Sequence, residues 1–271
     1  MGSRMRTISS RSNPLIRQFR DVADAADPES PLVLLDGVHL VTTALDARLP
    51  MPVAAIADVE LEDPEFVDLI ARLEAAGTDV VAVSTAIMDA MSPVRSPSGV
   101  VALAEHVLSS PHALLRAPKA LVLAAADVQD PGNLGALVRS AEAASASGVI
   151  ASGLSATPLS WKALRGSMGS ALRLPVAIAV DTRELLGEAR AAGLQTVAAV
   201  PRGGQAPETI DWTLPTILLL GGEGPGLSHA VVEAADACVT IAMAEPVESL
   251  NVSVAGALLL YAARQQRTAP R

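Results

Sequence analysis

The chain has 271 residues, half of them apolar, a formal net charge of −9 and five aromatic side chains, Phe19, Phe66, Trp161, Trp212 and Tyr261. That length fits one large domain or two ordinary ones, and the apolar share excludes wholesale disorder. A single cysteine, Cys238, excludes an internal disulfide and a cysteine-based zinc site, and so few aromatics exclude recognition of nucleic acid by stacked bases. No apolar run reaches membrane-spanning length, and Met1 to Arg6 lacks the apolar core of a signal peptide. A soluble cytoplasmic protein is therefore expected, with Met1-Gly2-Ser3-Arg4 ahead of Met5 reading as a short added leader.

The charge is unevenly spread. Residues 1–20 hold Arg4, Arg6, Arg11, Arg17 and Arg20 and no acid, a local charge of +5 on a body of −14. Lys119 and Lys162 are the two lysines, so nearly all positive charge is guanidinium, which suits two-pronged contact with phosphate. Arg6, Arg11, Arg17 and Arg20 are the candidate phosphate-contacting residues of this segment.

Behind this segment, apolar runs alternate with helical patterns. Strands are expected at 31–35, 53–57, 79–83 and 99–104, with helices at 38–47 and 64–76, the latter capped by Asp63 and opened by Pro64. These residues, 1–107, make a first α/β domain. Residues 108–118, with two prolines and two serines and no periodicity, read as a linker. From 119 to 271 the alternation resumes: strands at 120–125, 148–151, 176–180, 195–200, 216–220 and 238–242, and helices at 134–144, 159–165, 183–192, 227–235 and 249–267. This rhythm predicts a mainly parallel sheet covered on both faces.

Three segments of the second domain gather polar and glycine residues where strands end, the usual place for ligands in open α/β sheets. Asp130-Pro131-Gly132-Asn133 opens a helix that carries Arg139. Six residues on, Arg139 lies about 240° round the wheel from Asn133, so the two converge only if Asn133 is a cap. Taken alone, Asn133 is a helix cap and Arg139 a solvated charge. Leu220-Gly221-Gly222-Glu223-Gly224-Pro225-Gly226 is a strand running into a loop whose backbone can approach a ligand closely. It lacks the Lys-Ser/Thr of a phosphate loop, and Glu223 suits a cationic or hydroxyl-bearing ligand. In Ser249-Leu250-Asn251-Val252-Ser253-Val254-Ala255, Ser249 is the expected cap, while Asn251 and Ser253 are costly inside a helix unless they bond something.

Together and in this order, the three segments resemble the motifs of the SpoU (TrmH-like) branch of the SPOUT RNA methyltransferases. The first domain is similar to that family's substrate-binding domain at Ser12-Asn13-Pro14-Leu15, Leu35-Asp36-Gly37-Val38-His39 and Ser96-Pro97-Ser98-Gly99. The resemblance implies a trefoil-knotted, mainly parallel C-terminal α/β domain behind a small α/β domain of the ribosomal protein L30e-like kind. It implies a homodimer formed through the C-terminal domain, no metal, and S-adenosylmethionine bound at Gly221, Gly222, Ile241, Ser249 and Leu250. Arg139 corresponds to the family's catalytic arginine, with Asn133, Glu223 and Asn251 around the methyl acceptor. The implied reaction is methyl transfer to a ribose 2′-hydroxyl of structured rRNA or tRNA, with Glu223 and Asn251 orienting Arg139. The alternative is a non-catalytic RNA-binding protein that retains the fold. Ala242, Glu245, Pro246 and Ser145 depart from the family pattern, which favours proline at 242 and glycine at 245 and 145.

Overall fold

The computed structural model describes residues 5–25 and 30–269, so the leader and Arg4 lie outside the described residues. The chain divides into two units, one of residues up to Val107 together with Leu159–Leu172, the other of Leu108–Pro158 and the chain from Arg173 onward.

In the first unit β1 (Arg6–Ile8), α1 (Pro14–Ala25), β2 (Leu32–Asp36), α2 (Val38–Asp46), β3 (Val53–Ala57), α3 (Pro64–Ala75), β4 (Asp79–Val83), α4 (Thr85–Met91) and β5 (Val100–Glu105) follow one another. The sheet order is β1-β4-β3-β5-β2, with β5 antiparallel to β2 and β3 and the β1-β4-β3 pairs parallel. Alternate residues of the strands, among them Leu34, Val53, Ala55, Val81 and Val101, form one core layer with Ile16 and Phe19 of α1 and Ile87, Met88 and Met91 of α4. Asp63 caps α3, accepting from the Glu65 amide at 2.8 Å, with Pro64 at the first helical position.

The second unit holds α5 (Pro111–Leu115), β6 (Leu121–Ala126), α6 (Pro131–Ala143), β7 (Gly148–Ser152), β8 (Val176–Ala179), α8 (Thr182–Ala191), β9 (Gln195–Ala199), β10 (Thr216–Gly221), α9 (His229–Ala234), β11 (Ala237–Val239) and α10 (Val252–Thr268). Its sheet order is β11-β9-β10-β6-β7-β8, and every pair is parallel. Leu121–Ala126 is buried at every position, as a central parallel strand covered on both faces requires.

Helix α7 (Trp161–Gly166) interrupts this unit between β7 and β8 and belongs to the first unit. Its periodicity is that of any helix, so the sequence reading placed it with its chain neighbours. Trp161 packs against the α1–α4 core layer, and α7 lies along β2, the strand at the sheet edge. Two histidines hold the same excursion. The His39 Nε2–H donates to the Met168 carbonyl and the His106 Nε2–H to the Ala171 carbonyl, each at 3.1 Å. Burial pushes the His106 imidazole below its ordinary pKa, against the opposing pull of that carbonyl.

The residues read as a linker differ likewise. Ser110 accepts from the Ala113 amide and Pro111 takes the first position of α5, whose Leu114 and Leu115 enter the second unit's core. Cys238 is half-buried on the edge strand β11.

Asp236, just ahead of β11, ties this edge in place. One of its oxygens accepts from the Thr196 amide at 2.8 Å and hydroxyl at 2.7 Å, the other from Arg190 at 2.8 Å. Burial alone would raise its pKa; the Thr196 hydrogen bonds and Arg190 outweigh it and hold the carboxyl below its ordinary value. A depressed carboxyl contributes stability above its unfolded pKa of about 4, and that contribution is lost as pH falls through the folded value. Thermal melts of the wild type should therefore drop on acidification from about pH 5 to pH 3, and Asp236→Asn should flatten that dependence. An Asp236→Asn profile parallel to the wild type would remove this residue from the account.

Candidate functional site

A cavity of about 380 Å³ opens at the C-terminal ends of β9, β10 and β11, closed on its far side by residues 249–252 and the start of α10. Val200, Ile241, Leu250 and Val252 give it apolar walls, and the 221–227 loop gives it a backbone rim. Gly221, Gly222, Ile241, Ser249 and Leu250 all line it, as do Glu223 and Asn251. Sequence reasoning missed Ala199, Val200 and Pro201 at the end of β9, which line it too. They are small or apolar residues ending a strand, with no polar or glycine signal to mark them.

The loop is held by close backbone approach. The Gly222 amide donates to the Ala126 carbonyl at 2.8 Å, carrying the β10–β6 pairing one residue past the strand. A β-carbon on Gly222 would collide with the Asp127 carbonyl, and one on Gly221 with the backbone of Gly226 and Leu227 as the loop folds back.

Asn133, Glu223 and Asn251 come together from the three segments. Asp130, not Asn133, caps α6, accepting from the Asn133 amide at 2.7 Å, so Asn133 sits in the first helical turn. Its side-chain amide donates to Glu223 Oε1, and its own oxygen accepts from Asn251 Nδ2 at 3.1 Å. Asn251, not Ser249, caps α10: its Oδ1 accepts from the Ser253 amide at 2.9 Å and the Ser253 hydroxyl at 2.6 Å. An ionised carboxylate only accepts, so Glu223 fixes the orientation of Asn133, which in turn fixes that of Asn251. Ser249 and Leu250 are thereby left in extended chain against the cavity.

Arg139 stands apart. It is exposed on α6, with no hydrogen bond or ion pair to any described residue, so neither Glu223 nor Asn251 orients it. The cause is helical pitch: with Asn133 inside the helix, the six-residue spacing turns Arg139 to another face. The basic segment is likewise divided. Arg6 pairs with Asp79 at 2.6 Å and Arg11 donates to the Ala86 carbonyl at 3.1 Å, while Arg17 and Arg20 are exposed on α1 without a partner among the described residues.

Of the departures from the family pattern, Ala242, Glu245 and Pro246 are exposed and do not line the cavity. Ser145 follows α6 at φ +61°, a conformation that favours glycine, and its hydroxyl accepts from Arg264 at 2.6 Å.

Comparison with known proteins agrees with this arrangement. The profile of the SpoU rRNA Methylase family matches residues 120–261. A Synechocystis protein named as an uncharacterized tRNA/rRNA methyltransferase is 35% identical over 97% of this chain and 95% of its own. The crystal structure of an AdoMet-bound rRNA methyltransferase from Sinorhizobium meliloti is similar at a TM-score of 0.85, 29% identical, over 98% of this chain and 99% of that one. A crystal structure of an RNA 2′-O ribose methyltransferase is similar at 0.77, 30% identical, over 96% and 99%.

Asn251 has two separable jobs. Asn251→Ala should cost about 1–2 kcal/mol by loss of the cap, whereas Asn251→Ser, which keeps a capping oxygen but cannot reach Asn133, should cost a few tenths. Urea denaturation measures both, and equal losses would mean that the cap is not what Asn251 contributes to stability.

Proposed function

The chain belongs to the SpoU rRNA methylase family, and from that premise we propose that it transfers a methyl group from S-adenosylmethionine to the 2′-hydroxyl of a ribose in structured rRNA or tRNA. The observation that carries the reading is the hydrogen-bonded junction of Asn133, Glu223 and Asn251 beside the cavity that Gly221, Gly222, Ile241, Ser249 and Leu250 line. Two crystal-structure relatives support it, one bound to AdoMet and one a ribose 2′-O methyltransferase.

The cavity suits such a cofactor. Its volume falls within the roughly 300–1,000 Å³ of small-molecule sites; its aliphatic walls fit an adenosine, and the exposed Glu223 carboxylate on its rim complements a cationic ligand. When bound, S-adenosylmethionine supplies a methyl group on a sulfonium that leaves as a neutral thioether. The protein's own task is to hold a weakly nucleophilic hydroxyl in line, and positioning of this kind contributes several kcal/mol. The Arg139 guanidinium acts on the hydroxyl and its neighbouring phosphate by favouring the developing alkoxide electrostatically. Asn133, Glu223 and Asn251 keep the three loops in register around the acceptor.

The reading extends to architecture. Insertion of β10 between β9 and β6, with the chain after β11 returning to pack α10 on α6, supports a trefoil knot. The first unit, L30e-like in this reading, selects the RNA, and such substrates place the protein's work in the cytoplasm. Helix α10 supports a homodimer. One side of it packs inward through Val252, Gly256, Leu259 and Leu260, while Val254, Leu258 and Tyr261, at 48%, 50% and 46% exposure, form a second apolar stripe facing outward.

Labelled S-adenosylmethionine incubated with rRNA and tRNA, followed by nucleoside analysis, should yield 2′-O-methylated nucleosides; base-methylated nucleosides alone, or no transfer, would overturn the reading. Arg139→Ala should lower the rate by about 100-fold or more while leaving cofactor affinity within about threefold. Sedimentation should show a dimer that Leu258→Glu converts to monomer, and a monomeric wild type would refute the outward stripe's role.

A further inference from the structure

The excursion Leu159–Leu172 brings cations to the first unit from a part of the sequence that otherwise builds the second. Helices α1 and α7 both lie beside β2, and Trp161 of α7 packs against the same core layer as Ile16 and Phe19 of α1. Both carry exposed basic residues. Arg17 and Arg20 are exposed on α1, ahead of the exposed Asp21 and Asp24, and Lys162 and Arg165 are exposed on α7. Lys162 Nζ lies 5.4 Å from the centroid of the Trp161 ring, which steadies a side chain that would otherwise be free.

Asp36, at the end of β2, is 8% exposed and accepts from the Ser92 hydroxyl at 2.5 Å. Burial raises its pKa, while the Ser92 hydrogen bond and the charge of Arg165 favour its ionised form. The segment around α3 is opposite in character. Asp58, Glu62, Asp63, Glu65, Asp68 and Glu74 are exposed there, and Arg72 of α3 is already paired with Asp46 at 2.6 Å. Among the described residues, Arg17 and Arg20 of α1 and Lys162 and Arg165 of α7 are exposed cations without an ion pair, as are Arg48 and Arg95 elsewhere in the first unit.

We propose that Arg17 and Arg20 of α1 and Lys162 and Arg165 of α7 form one docking surface for the sugar-phosphate backbone of structured RNA. The surface rests on the reading of RNA as substrate and adds to it which face of the first unit meets the RNA. It also assigns half of the contact to a helix inserted from the methyltransferase region. Four exposed cations without an ion pair among the described residues suit successive phosphates, and the paired Arg6 has less to offer.

The test is binding of refolded, unmodified tRNA and rRNA-fragment transcripts, measured by fluorescence anisotropy between about 50 and 200 mM salt. Arg17→Gln/Arg20→Gln and Lys162→Gln/Arg165→Gln should each lower affinity about tenfold and reduce the slope of log affinity against log salt by one to two. Arg48→Ala, at an exposed cation after α2, should change neither. Arg165→Lys, which keeps the charge, should hold the wild-type slope and so separates charge from packing. An unchanged slope in the α7 double variant would overturn the shared surface even where methyl transfer persists. Reduced slopes in a protein that transfers no methyl group would uphold the surface and overturn the enzymatic reading.

Discussion

The site depends on backbone segments approaching more closely than any side chain would permit. Gly222 lies against the Asp127 carbonyl, which brings the end of β10 to the end of β6 and so sets Glu223 beside the first turn of α6. Gly256 does the same on the other side: a β-carbon there would run into Leu137 of α6 and Leu220 of β10, so α10 comes close enough for Asn251 to reach Asn133. Polar contacts among three distant segments are affordable only because these glycines first remove the steric distance between them. Each hydrogen bond contributes modestly, but the geometry that allows it is enforced by packing.

The far end of α10 is fastened by a different chemistry. Arg267 donates to the carbonyls of Lys119, Ala120, Trp212 and Leu214, and Arg264 to the Ala143 carbonyl and Ser145 hydroxyl. Carbonyl oxygens carry only partial charge, so burial holds the Arg267 guanidinium below its ordinary pKa without an acid to offset it. The helix is therefore clamped at both ends: by caps and side-chain amides where it meets the cavity, by guanidinium forks where it meets the start of β6. Ser145 shows one departure from the family pattern finding a use, since a residue held at positive φ also supplies an acceptor that glycine lacks.

Much of this was legible in the sequence. Central parallel strands such as Leu121–Ala126 and Thr216–Gly221 are continuous apolar runs, and the three polar segments at strand ends were recognisable before any contact was known. The misses have physical causes. At residues 108–118 proline was read as a breaker, although Pro after Ser110 is also how a short helix begins. Strand β1 and helix α4 are too short to show a period, and in 249–252 the choice between Ser249 and Asn251 as cap turned on a hydrogen bond to a residue 118 positions away. Arg139 and Asn133 are the instructive pair: resemblance assigns both to the acceptor, and helical pitch puts them on different faces of α6.

The excursion Leu159–Leu172 gives the chain an unusual wiring. A polypeptide that crosses between two units once can be cut there into independent pieces; this one crosses three times, after Val107, after Pro158 and after Leu172. Excising the first 107 residues would strip Trp161 of the core layer it fills and leave the carbonyls of Met168 and Ala171 without their histidines. The two halves are thus interleaved rather than joined end to end, and neither is a module that recombination could lift out or exchange at a single junction. Changes to the first unit must instead accumulate in place, and those at residues 159–172 are made in a stretch of chain bounded on both sides by strands of the other.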